Sequence, residues 1–149
     1  MKIAENTISD GGAKAIEEMM RFNQTITELD ISNNYINEEG ASVLAKMMET
    51  NTSITSLNLE RNSIEDGGCS ALANSLEKNH TLKHLFLGNN IVGSGGIISI
   101  AEALMGNESL VLLDISKNIV DIESEIALQK AMLHKNGRLN IYWKVPPKP

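Results

Sequence analysis

Apolar residues along this chain come in groups with the same internal spacing. Ile26, Leu29 and Ile31 form one, followed by Ile54, Leu57 and Leu59, then Leu82, Leu85 and Leu87, then Leu110, Leu113 and Ile115. The alternation within each group is that of a strand, whose successive side chains point to opposite faces. An asparagine follows three residues later each time, at Asn34, Asn62, Asn90 and Asn118. The rhythm then turns helical, as in Ala41, Leu44, Met47 and Met48. Successive groups start 28 residues apart. The pattern therefore predicts one strand, one turn and one helix per unit, with full repeats at 26–53, 54–81, 82–109 and 110–137. A partial repeat at 1–25 precedes them, with Ile3, Asn6, Ile8 and Gly12 in the same frame. A terminal strand and Pro-rich tail at 138–149 follow, all within one domain spanning 1–149.

Within a unit, the fourth and sixth positions point into the core. The asparagine is expected to be buried where the chain leaves the strand, its amide serving loop backbone groups that would otherwise lack partners. A glycine in the turn before each helix (Gly12, Gly40, Gly68, Gly96) allows either a close approach or an unusual backbone angle.

The order L-x-x-L-x-L-x-x-N-x-I resembles the leucine-rich repeat, in the 28-residue class typified by ribonuclease inhibitor. The sensor domains of NOD-like receptors and Ran GTPase-activating protein share this class. The closing "LQKAMLHKNGRLNIYW" also resembles the end of tropomodulin's repeat domain. The resemblance implies an α/β fold, a right-handed horseshoe solenoid with a parallel sheet on its concave face and helices on its convex face.

Several chemical signals dissolve in this frame. "GNNIVGSGGIISI" has the glycine-rich look of a phosphate loop, but Gly93, Gly95 and Gly96 fill a slot that reads "SDGG", "NEEG" and "EDGG" elsewhere, and Ile98 breaks the G-x-G-x-x-G spacing. Four N-x-S/T sequons, at Asn23, Asn51, Asn79 and Asn107, fall at every helix-to-strand turn. Turn chemistry explains them without glycans. His80 and His84 straddle a turn and a strand, and His134 belongs to the last helix, so no metal site is expected. Cys69 occupies a small core slot, shared with Ala13, Ala41 and Ile97. Met19, Met20, Met47, Met48 and Met132 read as helix core. Pro146-x-x-Pro149 is a bare P-x-x-P, read as a disordered end. In the last repeat Ser124 and Glu125 replace a glycine and an apolar residue, which predicts a polar outer side.

Composition narrows the function. Hydrophobic residues make up 42% and aromatics 3%, so aliphatic side chains fill the core. A net charge of −6 argues against an electrostatic nucleic-acid binder. One cysteine, no apolar h-region near the start and no span-length apolar run point to a cytoplasmic protein, neither exported nor in the membrane. No catalytic pair, triad, metal cluster or cofactor motif survives the repeat frame, so the chain reads as a non-catalytic protein-interaction module with a protein partner.

Its binding face is expected to be the concave sheet, where the third, fifth and seventh strand positions are free of core duty. The candidate partner-binding residues are Asp30, Asn58, Glu60, Phe86, Leu112, Asp114 and Tyr142. The resemblance also suggests a Ran-type GTPase activator or a tropomodulin-like actin-binding domain as alternatives. A ribonuclease inhibitor, a cysteine-rich protein, is disfavoured by the single cysteine. Met1 enters the frame in mid-strand, so the first edge is expected to self-associate or to continue a longer solenoid.

Overall fold

A computed structural model describes residues 1–144; the Pro146-x-x-Pro149 spacing lies outside the described residues. The elements alternate as α1 (Asp10–Met20), β1 (Glu28–Asp30), α2 (Glu38–Thr50), β2 (Ser56–Asn58), α3 (Glu65–Leu76), β3 (His84–Phe86), α4 (Ser94–Gly106), β4 (Leu112–Asp114), α5 (Ile122–His134) and β5 (Asn140–Tyr142). The five strands form one parallel sheet in sequence order. Each residue pairs with the one 28 positions on: Leu29 with Leu57, Leu57 with Leu85, Leu85 with Leu113. Ahead of β1, Lys2 bridges Asp30 in the same parallel sense. The expected α/β repeat solenoid is what forms.

The core lies between this sheet and the row of helices. Leu29, Leu57, Leu85 and Leu113 are buried from the strands, with Leu44, Leu72, Ile100 and Leu128 from the helices. No single repeat could bury these residues alone, so stacking supplies the driving force.

Two asparagine ladders tie the repeats together. At the strand exit, Asn62 Oδ1 accepts the N–H groups of Asn34 and Ile36, while its amide donates to the carbonyls of Ile31 and Leu59. Asn34 and Asn118 repeat the arrangement, and Asn90 does so with a single accepted N–H, that of Asn62. At the helix exit, the amide of Asn79 donates to Met48 O at 2.7 Å, and that of Asn107 to Leu76 O at 2.7 Å. Three of the four sequon asparagines (Asn51, Asn79 and Asn107) are thus buried structural groups.

The helix glycines are needed for close approach, since they sit inside the first helical turn with φ outside the left-handed region. A Cβ on Gly68 would lie 2.8 Å from both Ala41 Cβ and Ile64 Cγ2. The left-handed positions are elsewhere. Asn33, Arg61, Asn89 and Lys117 share one slot of the repeat with φ of 54° to 60°.

Two expectations about the ends need correction. Met19 is exposed, although its counterpart Met47 is buried, because α1 has no helix before it among the described residues. The outer side of α5 is not uniformly polar: Ile122 and Leu133 are each 78% exposed, and Ile126 is exposed beside them. Ser124 is buried instead, closing a capping box with Asp121, and Glu125 bonds Lys144 at 2.8 Å.

Candidate functional site

The sheet face collects the candidate residues in two rows. Strand register places Asp30 beside Asn58, Asn58 beside Phe86, Phe86 beside Asp114 and Asp114 beside Tyr142. Parallel strands lie about 4.8 Å apart, so this is a continuous row of five side chains. Leu112 lies in the parallel row of His84 and Asn140. Asp30, Asn58, Phe86, Asp114 and Leu112 are half-buried, whereas Tyr142, on the last strand, is exposed.

The row has a local reason for its composition. At three of its places the side-chain oxygen accepts the N–H two residues on: Asp30 from Ser32 at 3.1 Å, Asn58 from Glu60 at 3.0 Å and Asp114 from Ser116 at 2.8 Å. These short loops hold the chain as it leaves the strand. Phe86 makes no such bond, and the residue two places on is Gly88. The exception to the capping pattern therefore puts an aromatic ring and a missing side chain together.

Gly88 is buried between Glu60 and Ser116; a Cβ built there would stand 2.9 Å from Glu60 Oε1 and 3.3 Å from Ser116 Oγ. Burial raises the Glu60 carboxyl above the usual carboxylate range, Asp114 adds to the rise, and Arg61 and Lys117 partly offset it. Among the described residues the Glu60 carboxylate has no hydrogen bond or ion pair. On the other side of Phe86, a hollow of about 130 Å³ is lined by Lys2, Glu28, Asp30, Ser56, Asn58 and Phe86. The structure thus brings Asn58, Glu60, Phe86 and Asp114 together at the middle of the face, with Asp30 on the first strand and Tyr142 on the last.

Other exposed apolar side chains escaped the sequence reading. Phe22 is 85% exposed at the end of α1, and Tyr35, Ile91 and Ile119 line the strand-to-helix loops. The last three occupy the free position between the asparagine and the following Ile or Val, and that slot was the available signal. A larger hollow, about 330 Å³, lies between α5 and Trp143, lined by Gln129, Met132, Leu133 and Trp143. No helix among the described residues is long and apolar enough to cross a membrane. No cluster of three or more metal-ligating side chains occurs among them.

A leucine-rich repeat family model matches residues 22–45, 50–73 and 78–101, three segments offset by the same 28 residues that separate the paired strands. The chain carries leucine-rich repeats. Among solved structures, this leucine-rich repeat chain is similar to leiomodin-1 actin-binding site 2, with a TM-score of 0.77 and 24% identity over 91% of this chain and 80% of that one. It is similar also to the tropomodulin C-terminal domain of Caenorhabditis elegans, with a TM-score of 0.74 and 20% identity over 92% of this chain and 84% of that one. At these identities the likeness is one of fold. No curated protein sequence matches the chain significantly.

Proposed function

We propose that this leucine-rich repeat chain is a non-catalytic interaction module of the cytoplasm that binds a protein partner through its sheet face. The observation that carries the reading is the row Asp30, Asn58, Phe86, Asp114, Tyr142: a rigid sheet presents aromatic, acidic and amide side chains that the core does not use. Aromatic anchors bordered by charge are the usual makings of a binding hot spot. The test compares partner capture by the parent chain with capture by Phe86→Ala and Tyr142→Ala. Each substitution is expected to weaken binding by more than about 1 kcal/mol while the melting temperature stays nearly constant. Unchanged capture by both variants places the binding face elsewhere.

A second reading names actin as the partner. It is supported by the fold shared with leiomodin-1 actin-binding site 2, over most of both chains. Co-sedimentation with filamentous actin tests it directly. A Ran-type GTPase activator would instead show itself by accelerating GTP hydrolysis in a panel of small GTPases.

A further inference from the structure

The charges on the sheet face are not evenly spread. On the strands' outward positions the acids Glu28, Asp30, Glu60 and Asp114 occupy the first, second and fourth repeats, while the lysines, Lys2 and Lys144, stand at the two ends. In the middle, Gly88 has no side chain, so the Glu60 carboxylate and Ser116 close on its backbone, and Phe86 stands two residues before it at the end of β3. Asp30 and Asp114 each commit one oxygen to a loop N–H, whereas the Glu60 carboxylate is half-buried and unpaired among the described residues. Arg61 and Lys117 flank Glu60 from the loop, yet burial and the nearby Asp114 and Asp30 outweigh them. A partly desolvated carboxylate with no partner among the described residues is an electrostatic cost to the free protein, and an incoming cation would relieve it.

We infer that the sheet face takes a basic partner segment, which places one arginine or lysine side chain over Gly88, between Glu60 and Asp114 and against the Phe86 ring. Charge complementarity selects the occupant. A cation there gains the Glu60 and Asp114 carboxylates and the face of an aromatic ring at once. An acidic or phosphorylated segment would meet the Glu60, Asp114 and Asp30 carboxylates, which with burial outweigh Arg61 and Lys117 at this place. The inference rests on the sheet face being the binding face, and it names the chemistry of the partner.

An array of short synthetic peptides, balanced in Lys, Arg, Asp and Glu, tests it with the intact chain as the bound species. The peptides retained by the parent are expected to be enriched in Arg or Lys next to an apolar residue, with affinity falling as salt is raised. Glu60→Gln keeps the shape and removes the charge, and should weaken those peptides about tenfold. Gly88→Ala pushes the Glu60 carboxylate out of its place beside Gly88, and should weaken them similarly. Its Cβ would press on the movable end of Glu60 and the Ser116 hydroxyl and meet the Ser116 carbonyl at an ordinary 3.5 Å, so folding, followed by thermal melting, should be preserved. Absence of cationic enrichment, or of any retained peptide, overturns the inference. Retained peptides that lack enrichment but are lost with Phe86→Ala overturn the basic partner and leave the sheet face standing. Basic peptides indifferent to Phe86→Ala, Glu60→Gln and Gly88→Ala overturn both.

Discussion

The side-chain oxygen of Asn62 accepts the backbone N–H of Asn34 at 3.0 Å, one whole repeat earlier in the chain. The same oxygen takes the N–H of Ile36, and the amide returns two bonds to carbonyls on both sides of the repeat boundary. One side chain thus satisfies four buried backbone groups, and the next asparagine does the same for its own boundary. Asn62→Ala or Asn90→Ala is therefore expected to destabilise the domain by about 1–3 kcal/mol, the usual cost of stranding buried polar groups. Urea denaturation measures it. A variant that unfolds at the parent's midpoint would refute the ladder as a source of stability.

Ile91 adopts φ of 59° while 61% exposed, so a β-branched residue holds a left-handed backbone with little burial to offset it. Ile119, its counterpart in the next repeat, is similarly exposed without a positive φ. Asparagine tolerates the left-handed region, as Asn33 and Asn89 show in this chain. Ile91→Asn should stabilise the fold by about 1 kcal/mol, whereas Ile119→Asn should bring no gain. Thermal melting of the two variants side by side checks the contrast; equal shifts would rule out backbone strain as the cause.

Cys69 lies in the core of α3, its thiol donating to Gly96 O at 3.4 Å. Burial, with a smaller contribution from Asp66, pushes the thiol up to about 12. The thiolate is the reactive species, so the native protein should resist thiol reagents at pH 8 and react fully once unfolded. Prompt labelling of the folded chain would show the site to be open.

Acid should act first on the last repeat and its boundary with the one before it. Glu108 is held below the usual carboxylate range by its hydrogen bond to Lys135, Asp121 by its bonds from Ser124 and Ser94, and Glu125 by its bond from Lys144. Folding lowers these pKa values, so the three groups contribute stability that is complete above their unfolded values near 4 and is lost as pH falls through the folded values. Protonating Glu108 also leaves the buried Lys135 ammonium without its carboxylate partner. Glu60 runs the other way: its raised pKa means that protonation relieves rather than harms the fold. Hydrogen exchange followed from pH 6 to pH 3 is expected to show α5 and β5 losing protection before β2 and α3. Simultaneous loss along the whole solenoid would contradict this order.

The sequence by itself determined the repeat. Its 28-residue period placed the strands, the buried leucines and the asparagines, because each of these serves neighbours that the same period reproduces. Pairing of Phe86 with Asp114, and of Asp114 with Tyr142, followed from the period alone. Only the tertiary structure decided the matters that depend on what lies beside a residue rather than on its slot. Met19 and Met47 share a slot, yet one is exposed and the other buried, because burial requires a preceding helix. Ser124 and Glu125 point to a polar end, yet Ile122 and Leu133 stand exposed there, since the packing of α5 fixes which side faces outward. That the Glu60 carboxylate closes on Gly88, half-buried and unpaired among the described residues, is likewise a matter of packing and desolvation, set by atoms from three repeats at once.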